Sequence, residues 1–152
     1  MNSFLNFTCG NYELLLSASY ILEVGHISGF TQDEYSESSE EEILNKKTKE
    51  LHRIWRDRNL PVVNLGGYLK LIAPAPHFQL VTYDSLSEGE SELTILDVEN
   101  ISGLLEINEE EFVDIATPSQ NLEQFIDKSY IHPVSKKCLL RMSYPFNWLS
   151  TS

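Results

Sequence analysis

The sequence predicts an all-β chain with short helices, closed into a barrel or a sandwich. Short apolar segments recur along its length, punctuated by glycine, asparagine and proline turn signals. Long stretches of helical periodicity are missing from between them. The 152 residues are 41% hydrophobic and 11% aromatic, enough for one core-bearing domain over residues 1–152. A chain of this size buries about two-thirds of its unfolded surface.

The first element is a hairpin. In "FLNFTCGNYELLL" Phe4, Asn6 and Thr8 alternate with Leu5 and Phe7, the chain turns at Gly10-Asn11, and Tyr12 to Leu16 returns as a second strand. In "SASYILEV" Ser17 is placed to cap a helix, and Ile21 and Val24 are spaced for one short turn. Glu23 falls in that turn or at the start of the next strand.

Composition then shifts. "TQDEYSESSEEEILNKKTKE" places Ser36, Ser38 and Ser39 among glutamates, with too little apolar surface to order itself, so a mobile acidic and serine-rich loop is expected at about 31–45. Glu42 and Lys46 stand in the favourable i,i+4 order, which feeds the loop into a helix containing Ile43, Leu44 and Leu51.

Strands are expected next at Ile54–Leu60, Val62–Leu65, Phe78–Tyr83 and Glu92–Val98, the second ending at Gly66-Gly67 and the last two joined by the turn "SLSEGES". "NISGLLEI" continues as a strand bulged at Gly103. Ser119 or Asn121 can start a short helix, Tyr130-Ile131 begins a further strand, and Cys138, Leu139, Leu140 and Met142 form the apolar close.

Charge narrows the function classes. The net charge of −12 opposes binding to nucleic acid or to an anionic membrane surface. No apolar run reaches the roughly 18–20 residues of a membrane helix, and "MNSFLNFTCG" lacks the pattern of a secretory signal, so no membrane insertion and a cytoplasmic location are expected. The charge is also polarised. Asp84 to Asp114 holds eleven acidic residues and no Lys or Arg, whereas Lys46, Lys47, Lys49, Arg53, Arg56 and Arg58 form a basic block. Such a chain can dock a partner electrostatically or pair its own two halves; for any single charge a solvated face is the ordinary case.

Nothing in the residues signals catalysis. Gly66-Gly67 lacks the lysine and spacing of a phosphate loop. His26, His52, His77 and His132 are scattered, which gives no metal-ligand spacing, and no cofactor is implied. Cys9 and Cys138 read as two reduced, half-buried thiols. Glu109, Glu110 and Glu111 read as a solvated acidic turn, and Trp55 and Trp148 as core residues.

The order of features resembles the CheW-like domain, the adaptor fold of bacterial chemosensory arrays. "FLNFTCGNYELLLSASYILEV" is similar to the family's opening hairpin and the turn that ends in a Glu-hydrophobic pair. "WRDRNLPVVNLGGYL" resembles its arginine-to-Pro-hydrophobic-hydrophobic-Asp-Leu signature through Arg56, Leu60, Pro61, Val62, Val63 and Leu65. "LTILDVENISGLLEI" resembles a later strand, with Asp97, Val98 and Gly103 in its places, and "SYIHPVSKKCLLRMSYPFNWL" the closing strand pair. The likeness runs from about Phe4 to Leu149.

The resemblance implies two small five-stranded SH3-like β-barrels sharing a hydrophobic seam, and no catalysis. It implies an adaptor of a chemotaxis or twitching-motility pathway that couples a methyl-accepting chemotaxis-type receptor to the regulatory domain of a CheA-type histidine kinase. Candidate partner-binding residues are Glu23, Arg56, Arg58, Val62, Leu65, Gly66, Gly67 and Tyr68. Three positions depart from the family pattern. Asn64 replaces a common Asp, Gly66 stands where an Arg commonly helps hold the receptor, and Asp57 replaces a glycine after the signature arginine. The alternative reading is a divergent CheW-like module with a different protein partner. A small acidic enzyme would instead require a pocket of converging carboxylates and histidines.

Overall fold

The computed structural model describes residues 2–27, 51–68, 75–87, 90–115 and 125–143. Its strands are β1 (Asn2–Cys9), β2 (Tyr12–Ser17), β3 (Ile21–His26), β4 (Leu51–Trp55), β5 (Arg58–Asn64), β6 (Phe78–Ser87), β7 (Glu90–Val98), β8 (Asn100–Ile107), β9 (Val113–Asp114), β10 (Ile126–Ile131) and β11 (Cys138–Met142). They form two sheets, a six-stranded one in the order β8-β1-β2-β11-β10-β9 and a five-stranded one in the order β3-β6-β7-β5-β4. The all-β class read from the sequence is the observed one. The first sheet has its sixth strand because the two-residue β9 pairs with β10.

Alternation explains how two sheets hold three cores. One face of the first sheet carries Leu5, Phe7, Leu14, Leu16, Leu140 and Met142, and it packs on Leu80, Leu96, Val98 and Leu65 of the second. This is the shared seam. The opposite face of the first sheet gathers Phe4, Leu15, Ile107, Phe112 and Leu139. The opposite face of the second gathers Leu60, Val62, Val81 and Ile95, with Trp55 and Leu93 against them. Each sheet curls around its own small core, so two half-barrels stand back to back across the seam.

Several elements differ from the sequence reading. Ser17 precedes a 3-10 turn at Ala18–Tyr20, but its hydroxyl meets Ser19 Oγ at 2.9 Å and caps no backbone N–H. Ile21 and Val24 lie on β3, as does Glu23. Leu51 opens β4. Ile54–Leu60 is not one strand, because a two-residue turn at Arg56-Asp57 divides β4 from β5. The second strand runs through Pro61 and stops at Asn64; Leu65–Tyr68, with Gly66 and Gly67, is one α-helical turn, α1. Tyr130-Ile131 ends β10 and does not begin it. The loop at 31–45, the helix of Ile43 and Leu44, the helix from Ser119 or Asn121, Leu69 and Trp148 lie outside the described residues. So does the centre of the "SLSEGES" turn; Ser87 pairs with Glu90 across it.

The β4–β5 turn has a physical explanation. Arg56 and Asp57 have φ of 47° and 63°, the left-handed pair that a two-residue hairpin needs to match strand twist. Pro61 fits within β5 because it faces His52 three pairs beyond the hydrogen-bonded closing pair Trp55 and Arg58, a non-hydrogen-bonded position toward β4, and parallel pairing with β7 starts only at Val62.

A buried ion pair crosses the second sheet. Asp97 of β7 is fully buried, and the Arg53 guanidinium, 5% exposed, reaches it from edge strand β4 with bonds of 2.8 and 3.0 Å. Arg53 also donates to Gln79 Oε1 of β6 at 2.9 Å. One side chain thus ties three strands inside the half-barrel.

Two expectations follow. Asp97→Ala strands the Arg53 cation and lowers unfolding free energy by about 3–5 kcal/mol, measured by urea denaturation. Asp57→Gly relieves one left-handed non-glycine residue and raises stability by about 0.5–1 kcal/mol, read as a higher urea midpoint at unchanged slope.

Candidate functional site

Strand β3 is one edge of the second sheet and β8 is one edge of the first, and an open apolar groove of about 230 Å³ lies between them. Leu5, Ala18, Ile21, Leu22, Val24 and Leu104 line it, with Glu23 as its one charged residue. Leu22, Val24 and Leu104 are 50%, 43% and 68% exposed, a degree at which a side chain gains little from its own fold. Both flanking strands are irregular. Leu22 is the extra residue of a bulge between Ile21 and Glu23 against β6. Across the groove, Ser102 is the extra residue of a bulge against β1, beside Gly103 at φ 142°, a conformation an L side chain rarely adopts.

Glu23 occupies the meeting point of the groove and the second half-barrel. Its Oε2 accepts the indole N–H of Trp55, and its Oε1 lies 3.6 Å from Arg56. The Arg56 guanidinium stacks over the Trp55 ring at 4.7 Å. Arg56 is well exposed, so its ion pair contributes only about 0–1 kcal/mol, and the stacking about 0.5–1 kcal/mol. β3 and β4 are opposite edges of the five-stranded sheet, so this cluster joins the two ends of the curl through side chains alone.

The other candidate residues separate into surface and interior. Arg58 is exposed at the hairpin tip beside Arg56. Val62 belongs to the second sheet's inner core, and Leu65 is fully buried in the seam. Gly66 is buried in α1, Gly67 is exposed there, and Tyr68 closes the turn. Glu23 and Arg56 are therefore brought together beside the groove, Arg58 stands exposed at the same hairpin tip, and Val62, Leu65 and Gly66 are buried away from it. Leu22, Val24 and Leu104 were missed because each sits in an apolar run that reads as core. No signal in the sequence separates "YILEV" from buried runs such as "ELLL" of β2.

Two further surfaces carry opposite charge. Ile54, 74% exposed on β4, stands near Arg56 and Arg58. On the other sheet, exposed Val113 is neighboured by Glu110, Glu111 and Asp114. A hydrogen bond from Lys128, then its charge, holds the Asp114 carboxyl below the usual range. The expected solvated turn at Glu109–Glu111 is a 3-10 turn. Its Glu109 accepts from Arg141 at 2.8 Å, and Arg141 also binds Asp127 at 2.9 Å and stacks on Phe112 at 4.5 Å. Burial works against the Arg141 charge, but the hydrogen bonds to Asp127 and Glu109 outweigh it and raise its pKa.

The two cysteines differ, correcting the reading of both as half-buried. Cys9 is buried and Cys138 is exposed. Burial, with Glu99 adding to it, pushes the Cys9 thiol up to about 12. Among the described residues no group of three or more His, Cys, Asp or Glu side chains is placed to hold a metal ion. No helix among them is long and apolar enough to cross a membrane.

Comparison with known proteins adds one finding. The structure is similar to the crystal structure of the scaffolding protein TtCheW from Thermoanaerobacter tengcongensis, with a TM-score of 0.67 over 95% of this chain and 90% of that one. The chain has the CheW fold. Sequence identity to that protein is 14%. No family model matches the sequence, and no curated protein does. In this chain the shared seam is the plane between the half-barrels, and the groove is the place where one edge of each sheet comes to the surface.

The thiols supply a check on this surface. At pH 8 a thiol-specific disulfide reagent modifies Cys138 rapidly and Cys9 only after denaturant is added, because a thiol with a pKa near 12 is almost wholly protonated there. Fast modification of both in the native state contradicts the burial of Cys9.

Proposed function

We propose that this chain is a noncatalytic cytoplasmic adaptor that couples a chemoreceptor to a CheA-type histidine kinase through protein–protein binding. The observation that carries the reading is the open apolar groove between β3 and β8 on a CheW fold. Leu22, Val24 and Leu104 offer the apolar floor and walls that receive the nonpolar face of an amphipathic helix. Arg56 stands at the rim with most of its surface in water. A helical receptor tip is the occupant this shape suits.

The kinase regulatory domain would then use a different surface. The face around Ile54, Arg56 and Arg58 is mainly cationic, with Asp57 in its turn, and the face around Val113 is mainly anionic, with Lys128 bound to Asp114; each has an exposed apolar residue among its charges. That pattern favours oriented docking over general stickiness. The adaptor would do no bond chemistry; it would fix the separation of two partners.

A second reading, a module of the same fold with another protein partner, is favoured by Gly66. A buried glycine in α1 offers no cation where a CheW-like protein commonly presents one.

Titration of the full chain against a receptor-tip fragment and against a kinase regulatory domain tests the proposal. Binding to each is expected at micromolar concentrations. Leu104→Asp, which places a charge in the groove from an exposed position, weakens receptor-tip binding at least tenfold and leaves kinase-domain binding intact. No binding to either partner at tens of micromolar overturns the adaptor reading and leaves the second one.

A further inference from the structure

The groove wall is less well held than the rest of its sheet. Among the described residues β3 has backbone pairing on one side only, with β6, and that ladder is interrupted at Leu22, the residue most exposed to the groove from this side. What holds the wall from the other direction is the side chain between the two groove-facing residues. Glu23 points into the half-barrel and is bound by Trp55 and Arg56 of the opposite edge. Trp55 is itself anchored, half-buried against Leu60, Val62, Val81 and Ile95. The turn that follows it carries two adjacent left-handed non-glycine residues, a strained form that neighbouring contacts must sustain.

We propose that Trp55 is a positioning residue for the groove, acting through Glu23. Its indole N–H fixes the Glu23 carboxylate, and Glu23 fixes the bulged segment that presents Leu22 and Val24. Both Glu23 oxygens face groups of its own chain, so Glu23 serves as the anchor of the wall. Arg56 is the more exposed charge at that rim, 69% exposed on its side chain against 41% for Glu23. This assigns Glu23 a role other than the direct partner contact expected from the sequence. The inference rests on the groove as a binding face, but its first test needs no partner.

Amide hydrogen exchange on the full chain separates local tethering from general stability. Trp55→Phe keeps an aromatic ring against the core and removes the donor. The β3 amides should then exchange at least tenfold faster, with β1 and β2 of the other sheet unchanged. Glu23→Gln keeps a carbonyl acceptor for the indole and loses the charge, and its β3 amides should speed up less than those of Trp55→Phe. Unchanged β3 exchange in Trp55→Phe, or equal acceleration in both sheets, overturns the proposal.

The second readout is affinity for the receptor-tip fragment under conditions where each variant is folded. Trp55→Phe should weaken it at least tenfold, and Glu23→Gln should weaken it less. If Glu23→Gln costs more than Trp55→Phe, Glu23 contacts the partner by charge and the positioning role is wrong. Failure of the unaltered chain to bind the fragment counts against the adaptor reading alone, since the exchange experiment decides the tether by itself.

Discussion

The shared seam is the constraint on which the remaining structure depends. Phe7, Leu14, Leu16, Leu80 and Leu96 are all buried in it, so each sheet has one face committed to the other. Sequence alternation then gives each sheet a second apolar face, with no third layer among the described residues to cover it. Curling is the solution at hand. Phe4, Leu15 and Leu139 are closed over by Ile107 and Phe112, and Val62, Val81 and Ile95 by Leu60 and Trp55. Two small cores of this kind are each too thin to stand alone, and the seam joins them into one buried volume.

Curling creates the need for polar closure, and the two half-barrels meet it differently. In the second sheet Arg53 passes inside the curl to Asp97 and Gln79, while Trp55 and Arg56 meet Glu23 at the rim. In the first, Asn6 donates to the Leu14 carbonyl and to Glu13, and Arg141 holds Glu109 and Asp127 across Phe112. The buried Arg53–Asp97 pair adds little net stability over an apolar substitute, because desolvation offsets its attraction. Its contribution is register: the guanidinium forks onto one carboxylate, and a slip of β4 by one residue would turn Arg53 to the opposite face.

How far the sequence discloses this structure varies with the kind of signal. The β1–β2 hairpin is legible because Gly10, at φ 63°, takes the left-handed position that glycine marks. The bulge at Gly103 is legible for a similar reason. The β4–β5 hairpin is hidden because Arg and Asp occupy a turn usually marked by Asn-Gly, so Ile54 to Leu60 reads as continuous. β3 is mistaken for a helical turn because Val24 and Ile21 fit a spacing of three, while its alternation is masked by the bulge at Leu22, which sets Ile21 and Leu22 as adjacent apolar residues before Glu23. The Arg53–Asp97 pair is out of reach of local reading, since 44 residues separate the partners. Polarised charge is compatible with pairing of the two halves but does not say which residues go inside. Of the site itself, Glu23, Arg56 and Arg58 were identifiable through family resemblance; the apolar groove residues were not.

The irregular edges also bear on how the groove is used. An open sheet edge invites another strand, and an edge beside an apolar surface is the most exposed to that error. Here both edges that flank the groove are bulged, at Leu22 in β3 and at Ser102-Gly103 in β8, and a bulge breaks the repeat a partner strand would have to match. Edge strand β4, away from the groove, is guarded by an inward-facing charge at Arg53. With backbone pairing interrupted on both sides, recognition at the groove falls to side chains. Leu22, Val24 and Leu104 can take the apolar face of a helix, whose own backbone is already satisfied, whereas an extended peptide would leave its N–H and C=O groups without a continuous ladder. The same bulge that excludes a strand from β3 also weakens that strand's hold on β6, which is why a side-chain tether from the far edge of the sheet has something to do.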